Sequence, residues 1–169
     1  SYSESMQTAI ALSGQADILF VAAAGNSGKN TDSTPFYPAG YNLDNIISVA
    51  AVDSSGRYAS FTNYGATSVD IAAPGVDVLS TFPGNRYRRL SGTSMASPHV
   101  AGVVALAAAA NPELDARGIR NAVLTKGDRL ADRSRATVTG SRVNAFGVVR
   151  AVSKTPGKGE RFGVWRRMA

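Results

Sequence analysis

The chain has 169 residues, 44% of them hydrophobic and 18% charged, which suits one globular core and is too short for two. It contains no cysteine, so a disulfide framework, a thiolate metal site and thiol catalysis are all excluded. The net charge of +6 is uneven: from residue 154 onward five basic residues face one Glu, a net of +4, leaving +2 for the body. With a single Trp and no RNA-recognition or zinc-finger pattern, residues 153–169 read as a basic, disordered tail and not as a nucleic-acid site. The longest apolar stretch, 100–110, is well short of the roughly 20 residues of a membrane span. A soluble chain with its folded part in residues 1–152 is expected.

The start, Ser1-Tyr2-Ser3, has neither an initiator Met nor a signal pattern, as expected of a sequence that begins inside a domain. Met6, Ala9, Ile10 and Ser13 follow at helical spacing, with Ser3 as N-cap and Gly14 as stop. Residues 18–23 form a continuous apolar run, the pattern of a strand buried on both faces, and 46–52 repeat it. Two shorter apolar pieces, 69–72 and 76–79, flank Pro74-Gly75. Residues 95–110 are apolar nearly all round, so a helix there is expected inside the domain. Asp115 can cap a helix with Ile119, Ala122 and Val123 on one face, 144–152 fit a last helix, and 156–159 read as linker. Helices alternating with buried strands predict an α/β fold, a doubly wound, mostly parallel sheet with helices on both faces.

Ser91-Gly92-Thr93-Ser94 ahead of an apolar helix is a glycine turn that delivers a serine to a helix N-terminus. Unpaired backbone N–H groups and the positive end of the helix dipole can stabilise an oxyanion there, although a Thr or Ser at that place also serves as a plain cap. The full string Gly92-Thr93-Ser94-Met95-Ala96-Ser97-Pro98-His99-Val100-Ala101-Gly102 closely resembles the nucleophile segment of subtilisin-like serine proteases. Ala22-Ala23-Ala24-Gly25-Asn26 is similar to that family's oxyanion segment, and 59–65, 71–75 and 140–145 to its other landmarks, in the same order.

The resemblance implies the three-layer subtilisin fold with its N-terminal part absent, and an endopeptidase acting on protein or peptide substrates outside the cell. Ser94 is then the nucleophile, and the Asn26 amide the oxyanion donor beside the Ser94 N–H. Ala23, Ala24 and Gly25 would form a wall of the primary specificity pocket. Phe36, just before Tyr37-Pro38, would stand at its base or else point into the core. The family's Asp and His belong to an N-terminal half that is not in this sequence, which makes that half the expected partner and leaves the chain alone inactive, with a hydrophobic edge uncovered.

The lone histidine, His99, sits five residues after Ser94, about 140° around a helix, so it is not expected to serve as base and reads as a packed residue satisfied by backbone. No metal ligand is assigned. Structural calcium is common in the family, and residues 37–46 resemble a loop that lends carbonyls to a loosely held cation; Asp32 and Asp44 read as solvated loop acids. Two other readings stand beside the protease: a non-catalytic binding module derived from one, and an esterase, for which the Gly-x-Ser-x-Gly elbow is lacking.

Overall fold

The central strand β2 (Ile46–Val52) has all seven residues buried, because β-branched and small apolar side chains cover both of its faces. It stands in the five-stranded sheet β1-β2-β3-β7-β6 of a computed structural model that describes residues 1–153. β1 (Phe20–Ala23) and β3 (Ile71–Pro74) flank β2 in parallel, with Phe20 opposite Ile46 and Val49 opposite Ile71. The short strand β7 (Ser141–Arg142) continues the parallel set and pairs antiparallel with β6 (Asp128–Arg129). Apart from this sheet, β4 (Val78–Phe82) and β5 (Arg86–Leu90) form an antiparallel hairpin.

Alternation along β2 divides the core. Ile47, Val49 and Ala51 face α2 (Thr93–Ala110), α3 (Ala116–Thr125) and α4 (Ala145–Val152), meeting Ala96, Val100, Ile119, Val123 and Val148. On the opposite face Ile46 and Ala22 pack with Ile10 of α1 (Glu4–Gln15) and with Tyr41, while Ala50 and Val52 pack with Tyr58 and Leu130. The result is the expected three-layer α/β arrangement. Two helix caps follow the sequence signals, since Ser3 and Asp115 each accept a first-turn N–H, and Asn144, expected as the start of the last helix, caps it in the same way.

Several expectations are corrected. The run 18–23 yields strand only from Phe20, and only Ala22 of it is fully buried, because β1 is an edge strand; Ile18 is 55% exposed. The pieces at 69–72 and 76–79 become strands that begin later, at Ile71 and Val78. Helix α2 is buried along one face only, through Thr93, Ala96, Val100, Val103 and Ala107, while Leu106 is 53% exposed. At 18 residues it is the one helix among the described residues long and apolar enough to cross a membrane by length and composition, yet it lies against β1, β2 and β3. The linker and the basic tail from residue 154 lie outside the described residues.

An ion pair ties α3 to the sheet. Arg120 Nη2 meets Asp70 Oδ1 at 2.9 Å, Arg120 Nε donates to the Ile46 carbonyl, and Asp70 Oδ2 accepts the Ser48 N–H. Burial pushes the Asp70 carboxyl above its ordinary 3.8, against the opposing pull of the Ser48 N–H and Arg120. The folded state therefore holds that proton more tightly than the unfolded chain, so stability is lost as pH rises through the raised value and regained on acidification. Removing the guanidinium leaves a buried carboxylate without its counter-charge. Arg120→Ala should thus cost about 3 kcal/mol near neutral pH, and less on acidification as Asp70, raised further without the guanidinium, takes up its proton. Urea unfolding across that range measures it, and an equal loss at every pH would show that Asp70 is not the group exposed by the substitution.

Candidate active site

The two segments that resemble a catalytic centre meet where the C-terminal end of β1 reaches the N-terminus of α2. The meeting is held by Thr93, which is 1% exposed. Its N–H and its hydroxyl both donate to Asn26 Oδ1 at 2.9 Å, and its Oγ1 accepts the Gly25 N–H at 3.1 Å. A backbone N–H can only donate, so the Asn26 oxygen must face Thr93 and its Nδ2 must face away. That Nδ2 has no acceptor among the described residues.

The first turn of α2 leaves a second donor open. The Thr93 N–H goes to Asn26 and the Met95 N–H to the Gly92 carbonyl, while the Ser94 N–H has no acceptor among the described residues. Both open donors border the space over Gly92: the position a Cβ would take there lies 3.4 Å from Asn26 Nδ2 and 3.7 Å from the Ser94 nitrogen. Glycine keeps that space empty. Ser94 itself is exposed, and its Oγ has no hydrogen-bond partner among the described residues. Gly92 is fixed from behind by donating its N–H to the Gly75 carbonyl at 2.8 Å, which anchors the turn to the end of β3.

A second buried residue shapes the strand end. Asn63, 2% exposed, donates from Nδ2 to the Ala24 carbonyl and accepts the Ser27 and Lys29 N–H groups on Oδ1, while its own N–H binds the Gly25 carbonyl. Gly25 has φ +102, a left-handed conformation, and any Cβ on it would strike Asn63 Nδ2 and stand 3.0 Å from the Phe36 ring. Arg135 adds an outer brace: it donates to the Gly28 and Ser60 carbonyls and lies over the Tyr64 ring at 4.5 Å. Asn63 and Arg135 were not singled out from the sequence, and Thr93 only as a candidate helix cap, a place that Gly92 takes instead. Each acts on a partner 30 or more residues away, so no local spacing announces it.

Of the residues singled out, Ser94, Asn26 and Gly25 come together directly, with Ala24 buried and Ala23 partly buried behind them. Phe36 is 40% exposed with its ring against Gly25, so it does not point into the core; the Tyr37–Pro38 bond that follows is cis. His99 stands apart from this group. Its Nδ1 lies 2.9 Å from the Met95 carbonyl, which makes Nδ1 the protonated nitrogen, but the residue is exposed and not packed as expected.

The acids fit a cation poorly. Asp32 is not a free loop acid: it accepts from the Ala66 and Thr67 N–H groups and from the Thr67 and Ser68 hydroxyls. Burial raises its carboxyl, but these donors outweigh burial and hold it below 3.8. The loop 39–46 borders a cavity of about 270 Å³ whose one partly buried carboxylate, Asp70, is already engaged by Arg120. Asp44 is exposed, and among the described residues no cluster of three His, Asp or Glu stands ready for a metal.

The chain has relatives among known serine proteinases. The chain is 62% identical over 88 residues to a thermophilic serine proteinase of Bacillus sp. (strain AK1), covering 52% of this chain and 20% of that protein. It is 49% identical over 116 residues to subtilisin DY of Bacillus licheniformis, covering 68% and 41%. The chain thus spans less than half the length of these relatives. Among solved structures, a protease of Pseudoalteromonas arctica PAMC 21717 superposes with TM-score 0.81 at 32% identity, over 90% of this chain and 48% of that one. The prenylagaramide maturation protease PagA gives TM-score 0.80 at 26% identity, over 91% and 57%. The profile of the subtilase family, Peptidase_S8, matches residues 1–148, and the chain belongs to that family of subtilisin-like serine proteases.

Proposed function

We propose that this chain supplies the nucleophile and the oxyanion hole of a serine endopeptidase, with the general-base His and its Asp drawn from sequence outside these 169 residues. The observation that carries the reading is the pair of open donors, Asn26 Nδ2 and the Ser94 N–H, bordering one empty space beside an unpartnered Ser94 hydroxyl. Ser94 Oγ attacks the scissile carbonyl as the base takes its proton, and the carbonyl oxygen becomes an anion between the two donors. Collapse expels the amine with that proton and leaves an acyl-enzyme, which water hydrolyses by the reverse sequence. Because Oδ1 is pinned twice by Thr93, the amide need not be ordered during the reaction, and the stabilisation is gained in the transition state alone. The proteases named among the relatives support protein or peptide substrates, and an extracellular setting is implied by the family resemblance alone.

In the complete enzyme, Ser94→Ala should remove nearly all turnover. Asn26→Ala should lower kcat by about 10² to 10³, a magnitude taken over from the same donor in subtilisin, with little change in KM. Thr93→Val keeps the shape and the backbone N–H bond to Asn26 Oδ1 but removes the hydroxyl bond and leaves the Gly25 N–H without its acceptor, and should lower kcat about tenfold. Steady-state kinetics on one peptide substrate separate these, and a rise in KM matching the fall in kcat would remove the oxyanion role from Asn26.

The 169-residue chain alone should not turn over a chromogenic peptide, since His99 Nδ1 is engaged with the Met95 carbonyl and the residue lies well around the helix from Ser94. Turnover abolished both by Ser94→Ala and by His99→Ala would overturn this and return the base to His99.

Phe36 against Gly25 supports its place at the base of the primary pocket. Small or medium P1 residues should then be favoured over Phe and Tyr, each refused methylene being worth about 1–3 kcal/mol. A P1 scan of wild type and Phe36→Gly tests it: no shift toward large P1 residues in the variant would place Phe36 outside the pocket.

A further inference from the structure

The hairpin of β4 and β5 is unlike the rest of the molecule. Its base is fixed by the Gly92–Gly75 bond and by the Asp77 N–H on Ser91 Oγ, but every residue of β5 is exposed and its principal packing is strand against strand. β5 also carries three arginines in five positions. Arg89 is neutralised by Asp77, whose Oδ2 lies 3.3 Å from its Nη1. Arg86 and Arg88 have no carboxylate partner among the described residues; Arg86 reaches only the Pro83 carbonyl, and Arg88 lies over the Phe82 ring at 5.2 Å.

Strand alternation puts these two unpaired guanidinium groups on one face with Leu90, opposite Phe82, Ser80 and Val78. That face is apolar near its base, at Val78 and Leu90, and cationic farther out. Leu90 precedes Ser94 by four residues and Arg88 by six, so Arg88 lies within about 20 Å of the nucleophile along the chain, and its side chain reaches several ångströms more. An extended peptide advances about 3.3 Å per residue, so a substrate held at Ser94 can bring residues a few positions from its scissile bond onto this face.

We propose that Arg86 and Arg88 form a substrate-binding surface for acidic side chains, which makes acidic polypeptide segments, with Asp or Glu a few positions from the scissile bond, the preferred substrate class. The inference rests on the catalytic reading of Ser94. Stacking on Phe82 holds Arg88 in place without spending its charge, which leaves the charge for a carboxylate in solvent. Two such exposed pairs, each of modest strength, should together give about a fivefold preference, weakened by salt.

The test uses the complete gene product that carries this sequence and a peptide set in which Glu, Ala or Lys is walked along both sides of one scissile bond. The expected result is a kcat/KM about fivefold higher for Glu than for Ala at one or two positions, lost in Arg86→Ala/Arg88→Ala, kept in Arg86→Lys/Arg88→Lys, and turned toward Lys peptides in Arg86→Glu/Arg88→Glu. Arg117→Ala, an exposed arginine on α3, controls for net charge and should keep the preference. Fluorescence anisotropy of the same peptides on Ser94→Ala reads binding without turnover. If wild type and Ser94→Ala hydrolyse alike, the catalytic reading fails while the anisotropy still decides the acidic preference. Equal kcat/KM and equal binding for Glu and Ala peptides, or a preference that the Arg86→Ala/Arg88→Ala protein retains, overturns the proposal, as does binding of Glu and Lys peptides alike.

Discussion

The joint between the sheet and the long helix depends on one buried hydroxyl. Thr93 Oγ1 accepts the Gly25 N–H and donates to Asn26 Oδ1, so a single atom sets the distance between the end of β1 and the start of α2. The Thr93 N–H repeats the second contact from the backbone. An isolated carboxamide on a surface would sample several rotamers; this one has its oxygen claimed twice and only its nitrogen left to act. The orientation of the candidate donor is therefore a property of the core and does not wait for a ligand.

The same economy recurs around the strand end. Asn63 satisfies four backbone groups of the turn that follows β1, in a place where a buried loop would otherwise strand them. Asp32 does the equivalent for residues 66–68. Polar side chains that look from composition like solvated loop residues are here the framework of the loops, and the apolar layers serve mainly to hold the strands and helices on which those loops end.

This explains which features could be read in the sequence. Helix α3 was legible because Asp115 and the 3.6-residue spacing of Ile119, Ala122 and Val123 are local signals, and β2 because seven buried residues form one apolar run. Strand β5 was not, since Arg-Tyr-Arg-Arg-Leu has no apolar alternation. The signal that could have found it is the turn Pro83-Gly84-Asn85, where Gly84 and Asn85 both take positive φ. Ser94 and Asn26 emerged from family resemblance; local reasoning gave a cap and a turn. The partly open face of α2 was not legible either, because an all-round apolar helix predicts burial without saying how much of it these residues provide.

The register of the sheet carries a consequence for the speed of folding. β1 and β2 pair across 26 residues and β2 and β3 across 22, but β3 reaches β7 only across 70, from Ala72 to Arg142. Closing that longest loop costs about 1 kcal/mol more entropy than the shorter ones, and it is rewarded by one residue pair of ladder, by the Val138, Thr139 and Val143 N–H bonds to the Val69, Asp70 and Ala72 carbonyls, and by the packing of α4. The three-stranded centre can thus assemble before residues 141–153 dock, and until they do α4 cannot cover its part of the core around Val148. Parallel pairings between distant segments make this a slow topology, and an apolar surface stays open to collisions for as long as β7 and α4 are undocked.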